Sequence, residues 1–209
     1  MKHKAINDLN QIKSIMERST KFLSLSGWSG IWVGLCGLAA ASTLYIWQTA
    51  STYTYQNLTD TDPYQVTYSA GNLFSLALVT FIIAVAGGFF FTIRKTKRQG
   101  KPFLNAITKR LLTRFSIPLI IAGILCLILY KHHLLQFTLP TTLLFYGLAL
   151  FGVQEDTVKE VKTIASLQIL LGLLAFYFID YSLLLWAIGF GVVHLLYGII
   201  LWNKYDKIK

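Results

Sequence analysis

Residues 164–202 read IASLQILLGLLAFYFIDYSLLLWAIGFGVVHLLYGIILW, two apolar runs divided by a single charged residue, Asp180. A helix that is apolar on every side cannot rest on the surface of a soluble domain and is at home in lipid. A spanning helix needs about 20 such residues, and Tyr181–Trp202 supplies them. Ile164–Ile179 has only 16 residues and reaches about 24 Å as an α-helix. Lys162 completes that span by extending its charge to the headgroups. Only Asp180 separates the two runs, so they read as a tight helical hairpin with Asp180 capping the second helix.

Four more runs lie upstream: Trp28–Trp47, Leu73–Ile93, Phe115–Tyr130 and Leu134–Val153. The fold class expected is all-α integral membrane: six transmembrane helices, arranged as three αα-hairpins in one bundle. Residues 27–209 form that domain, and residues 1–26 form a cytoplasmic amphipathic helix. Composition agrees. Only 13% of the chain is charged and 55% is hydrophobic, against about 25% and 45–50% in soluble domains.

Threaded six times, the chain places eighteen of its 19 Lys and Arg residues on one side. They are Lys2, Lys4, Lys13, Arg18 and Lys21, then Arg94, Lys95, Lys97, Arg98, Lys101, Lys109, Arg110 and Arg114, then Lys159, Lys162, Lys204, Lys207 and Lys209. The other side keeps Lys131 with Asp60, Asp62 and Asp180. The positive-inside rule puts the basic side, with both termini, in the cytoplasm. The location expected is a bacterial inner membrane. A net charge of +10 placed this way is explained by anionic lipid and argues against a nucleic-acid partner. Arg94, Lys95, Lys97, Arg98, Lys109 and Arg110 are the expected headgroup contacts. Trp28, Trp47 and Trp202 lie at span ends, where indoles favour the interface.

Ala39-Ala40-Ala41 resembles a signal cleavage site, but the apolar run continues to Trp47, so the first span reads as uncleaved. Before it, Ile6, Leu9, Ile12, Met16 and Leu23 share one helical face, with Lys4, Asp8, Glu17, Arg18 and Lys21 mostly opposite, as in a helix lying on a membrane surface. After Gly100, Pro102 can begin a helix carrying Phe103, Ile107, Leu111 and Leu112 along the interface and turning into span three. The outward segment Ala50–Asn72 reads as a long loop; its Asn57-Leu58-Thr59 is a glycosylation acceptor only in a secretory pathway. Pro140 interrupts span four amid Thr138, Thr141 and Thr142, which can satisfy the freed carbonyl.

Among the spans, His194 is the ionisable group nearest mid-membrane, and such a residue is a functional candidate by default. Tyr197 stands one turn away, and Gln168 and Tyr146 fall at similar depth, so the four are expected to form one polar cluster. Its functional reading is a ligand contact, proton relay or switch; its bland reading is a neutral histidine bonded to Gln168 or a backbone carbonyl to fix packing. Ser29, within Gly27-Trp28-Ser29-Gly30, lies about 10 Å shallower than His194 and cannot serve it as a nucleophile. Adjacent His132 and His133 point to different helix faces and make no metal site. Cys36 and Cys126 read as small packing residues. No metal or cofactor motif is present.

Gly123 precedes Tyr146-Gly147 by 24 residues to the glycine, and Gly172 precedes Tyr197-Gly198 by 26, a weak internal repeat. The run Gln168-Ile-Leu-Leu-Gly172 through His194-Leu-Leu-Tyr-Gly198-Ile resembles the hairpin unit of HdeD-type short-repeat membrane proteins. Glu17-Arg18-Ser19-Thr20-Lys21-Phe22 with Leu25-Ser26-Gly27 is similar to small six-span proteins of Bacteroidetes-type bacteria. The likeness implies a stress-associated inner-membrane protein and supplies no catalytic residues. The basic loop and N-terminal segment depart from the HdeD pattern. Three functions fit these residues, in this order: non-enzymatic binding or sensing of a small apolar or lipidic ligand, signalled through the basic surface; a small channel or transporter, with Gly34/Gly37 and Gly87/Gly88 as close-packing faces for a homo-oligomer; and an intramembrane enzyme centred on His194. Membrane lipids are the expected partners. No reaction can be written from the sequence.

Overall fold

The computed structural model describes residues 26–57, 70–100 and 106–207. These are helical, without a strand among them. Helix α1 is Gly27–Asn57 and α2 is Ala70–Arg98. Helix α3 is Ala106–Lys131, α4 is Thr138–Gly152 and α5 is Glu160–Tyr177. Helix α6 covers Ile179–Asp206. Among the described residues, six helices are long and apolar enough to cross a membrane.

Every helix but one outruns its apolar stretch at one or both ends, because backbone hydrogen bonding continues until a stop signal. Helix α2 passes Ile93 to Arg98 and is followed by Gly100, whose φ of 66° is the left-handed conformation glycine adopts freely. Helix α3 starts at Ala106 instead of Phe115, so Ile107, Leu111 and Leu112 belong to the spanning helix and not to a separate interfacial one. Helix α5 starts at Glu160, whose negative charge suits a helix N-terminus. It stops at Tyr177, short of the expected Ile179. The loop Ala50–Asn72 shrinks from both sides: Ala50–Asn57 extends α1 past Trp47, and Ala70–Asn72 opens α2. The expected helix in residues 1–26, Pro102 and the centre of the outward loop fall outside the described residues, save Ser26.

Two expectations about prolines and caps change. Pro140 lies in the first turn of α4, where an N–H would be unpaired anyway, so it does not interrupt the helix. Pro118, in contrast, sits inside α3 and denies the Arg114 carbonyl its helical donor. Asp180 lies in a 3₁₀ turn, Ile179–Tyr181, and the Ser182–Trp186 segment that follows has no side-chain cap.

Helix α1 packs between α2 and α6, α4 packs on α3 and most extensively on α5, and α6 touches α4, α5 and α1. The α1–α6 crossing is close because glycines line it. A Cβ at Gly30 would stand 2.8 Å from Gly198 Cα, and one at Gly34 2.9 Å from Gly191 O. On α4 and α5, Gly147 and Gly172 play the same part against Ile169 and Leu144. Gly87 receives the Trp32 indole. Gly34, Gly37 and Gly87 are therefore used for packing inside one chain, whereas an added Cβ at Gly88 would meet only Val33 Cγ2, at 3.8 Å. The repeat glycines are not equivalent: among the described residues, nothing lies within 4 Å of a Cβ added at Gly123.

Candidate functional site

Helix α6 is not uniform. Ala187–Val193 forms π-helical turns between the α-helical segments Ser182–Trp186 and His194–Leu201. Such wide turns disturb the regular ladder and often mark functional positions. Here the carbonyl of Gly189 receives two side-chain nitrogens: His194 Nδ1 at 2.9 Å and Gln168 Nε2 at 2.8 Å. A carbonyl can only accept, so Nδ1 carries the proton. His194 Nε2 is then the acceptor, and the Tyr146 hydroxyl donates to it at 2.8 Å. The 3.4 Å approach of Gln168 Nε2 to His194 Nδ1 brings two donors toward one oxygen and is not a bond between them.

Three of the four expected cluster residues are thus joined, one each from α4, α5 and α6. His194 is 3% exposed and Gln168 0%. Tyr197 goes elsewhere: it packs against Val158, Val161 and Leu201. Phe190, not singled out in the sequence, stacks on His194 with centroids 5.8 Å apart and 9° between planes. It also meets Tyr146 and Trp186, each at 4.9 Å, and Trp186 donates to Thr142 at 3.0 Å. The sequence hint for this arrangement was Gly189-Phe190-Gly191, two glycines just before the histidine.

Both imidazole nitrogens are committed, which leaves His194 no lone pair for a substrate or metal. Gln168 Oε1 is buried without a hydrogen-bond partner among the described residues, a cost of about 1–3 kcal/mol. Ser29 donates to the Ser26 carbonyl at 2.6 Å and takes no part. His133 is a turn residue with φ of 60°. Among the described residues no group of three or more His, Cys, Asp or Glu could hold a metal ion.

A second constellation lies where α1 begins and α6 ends. Asp206 Oδ1 pairs with Lys95 Nζ at 2.5 Å, and Oδ2 accepts the Gly27 N–H at 2.9 Å. Asp156 holds Arg110 at 2.5 Å and Arg114 at 3.0 Å. Glu160 pairs with Lys204 and accepts from the Tyr205 hydroxyl at 3.2 Å. These three carboxylates were overlooked among the many cations around them, although an acid on a basic membrane face is itself a signal.

Of the six expected headgroup contacts, Lys95 turns inward at 12% side-chain exposure and Arg110 is tied to Asp156. Arg94, Lys97, Arg98 and Lys109 are exposed. Arg94 and Lys97 line a concavity with Phe90 and Ile93, and no carboxylate of the described residues pairs with either.

Compared with protein-family models, curated proteins and solved structures, the chain matches none.

Proposed function

We propose that this chain is a multi-pass protein of a bacterial cytoplasmic membrane, both termini cytoplasmic, that binds an anionic lipid without performing chemistry on it. The observation that carries this reading is the concavity at the basic end of α2, where exposed Phe90 and half-buried Ile93 adjoin Arg94 and Lys97. Apolar wall and cationic rim together suit a molecule with a greasy stem and a negative head. The neighbouring cations Lys95, Arg110 and Arg114 are held by carboxylates, whereas Arg94 and Lys97 face the concavity and can act on an outside anion. The positive-inside distribution supports the orientation. The HdeD-type likeness of the last hairpin supports a stress-associated role.

Native mass spectrometry of protein extracted in mild detergent tests the proposal. Anionic phospholipid should remain bound in preference to zwitterionic lipid. Arg94→Gln with Lys97→Gln should weaken retention by about 2 kcal/mol, some thirtyfold, and added salt should do the same. Equal retention of both lipid types by the native chain and the double variant would end the reading.

A further inference from the structure

We infer that the basic-end arm of α3, residues 106–117, is a latched lever: it turns about Pro118, Asp156 holds it shut, and anionic lipid headgroups release it by taking over Arg110 and Arg114. The inference rests on the reading that anionic lipid is this chain's partner. It adds what that lipid does at a place apart from the α2 concavity.

The hinge comes from one residue. Pro118 lies inside α3 and can offer no N–H to the Arg114 carbonyl four residues back. A helix that misses this bond bends most readily there. The freed carbonyl faces Gly152, the last residue of α4, where an added Cβ would stand 4.0 Å from it. Glycine at that point sets no side chain against the pivot.

The latch lies on the same arm. Arg110 and Arg114, four residues apart, share a helix face and close on one carboxylate, Arg110 at 2.5 Å from Asp156 Oδ1 and Arg114 at 3.0 Å from Oδ2. Asp156 belongs to the short turn Gln154–Asp156 between α4 and α5. Burial is lopsided, with the carboxylate side chain 8% exposed and the two arginine side chains 48% and 51%. Asp156 is shut in, while its partners stay open to what lies outside. Each arginine spends a single nitrogen on it, Nη2 of Arg110 and Nη1 of Arg114, and not the paired fork that makes guanidinium contacts tight.

Little else holds the arm. No apolar side chain on it is buried, and Thr108 is its one buried residue, so the ion pairs outweigh core packing there. Anionic headgroups concentrate at a cationic membrane face, and Lys109 is exposed beside the latch. A phosphate can take the parallel N–H pairs that Asp156 leaves unused. The proline break then lets the arm change direction while Ala122 and Cys126, buried beyond the hinge, stay packed.

The test follows the arm in the purified full chain, spin-labelled at Lys109→Cys and Lys159→Cys, both exposed positions, with Cys36→Ala and Cys126→Ala. Pulsed electron resonance measures the distance in nanodiscs of zwitterionic lipid with and without phosphatidylglycerol. Zwitterionic discs should give one short distance, and phosphatidylglycerol should raise the share of a longer one by about tenfold. Asp156→Asn should give the longer distance in both discs, with Arg110→Gln plus Arg114→Gln as the second release if it fails to fold. Pro118→Ala, which returns the missing N–H, should keep the short distance in both. A Pro118→Ala arm that opens like the native one overturns the lever, and so does opening of zwitterionic discs by inorganic phosphate alone. One short distance in every disc and variant, with anionic lipid still retained through Arg94 and Lys97, overturns the lever and leaves the basic-end reading intact. No preference of the native chain for phosphatidylglycerol sinks both.

Discussion

The carboxylate of Asp206, at the end of the last helix, accepts the backbone N–H of Gly27 at 2.9 Å, at the start of the first. Its other oxygen meets Lys95 of α2 at 2.5 Å. One side chain therefore joins α1, α2 and α6. It supplies α1 with the negative N-terminal partner that its own sequence, without an acidic residue in the first turn, does not.

Asp206→Ala should lower stability by about 2–3 kcal/mol, combining a lost cap with the loss of the ion pair to the largely buried Lys95. Asp206→Asn keeps an acceptor for Gly27 and should cost about half as much. Reversible unfolding in mixed micelles measures both. Equal losses in the two variants would mean that the Gly27 contact contributes nothing and only the charge matters.

The Tyr146–His194 bond should behave as a packing interaction between α4 and α6. Tyr146→Phe removes the donor to Nε2 and should cost about 0.6–2 kcal/mol, the range for hydrogen bonds between membrane helices. His194→Ala also opens a cavity and strands Tyr146, for a loss of about 2–4 kcal/mol. The double variant should lose less than the sum. Strict additivity would show that the two side chains do not interact.

How much of this was legible follows from what lipid enforces. The six spans could be read from apolar runs because unpaired backbone is excluded from hydrocarbon and helices are what remain. Helix ends could not, since Ala106–Arg114 mixes three basic residues with apolar ones yet continues the spanning helix, and only Gly100 carried a recognisable stop. Tyr146, Gln168 and His194 were found together because depth along a span follows from residue count. Tyr197 was misplaced because depth does not give the direction in which a side chain faces a neighbour. The π-helical turns of Ala187–Val193 left no mark beyond the paired glycines of Gly189-Phe190-Gly191, in a run that otherwise reads like any apolar helix, so the Gly189 carbonyl was missed. Which cation each carboxylate takes depends on helix neighbours that no single sequence displays.

The turn after α3 offers a stabilising change. His133 has φ of 60°; its N–H reaches the Tyr130 carbonyl at 3.0 Å, and Leu134 N–H reaches Leu129 at 2.8 Å. This is the Schellman arrangement, in which the left-handed residue is usually glycine. His133→Gly should relieve the Cβ penalty and raise stability by about 0.5–1 kcal/mol. A drop in melting temperature would show that the exposed imidazole makes a compensating contact.

The glycines give the sharpest contrast, because two residues of one type in spanning helices should respond oppositely. A Cβ at Gly30 would lie 2.8 Å from Gly198 Cα and 3.3 Å from the His194 carbonyl, all backbone that cannot turn aside. Gly30→Leu must therefore push α1 from α6, and because Asp206 caps α1 across that crossing, the displacement should also loosen the contact with Gly27. Overpacking of this kind costs about 1–3 kcal/mol or more, enough to lower the yield of folded protein. Among the described residues, nothing lies within 4 Å of a Cβ added at Gly123 on α3, so Gly123→Leu adds only a lipid-facing side chain with better helix propensity. It should be neutral or slightly stabilising, by up to about 1 kcal/mol. Fluorescence-detected size exclusion with a thermal ramp on both variants checks the pair. If Gly123→Leu proved as damaging as Gly30→Leu, the face of α3 that carries Gly123 would have to be covered, and the outer position of that helix would be wrong.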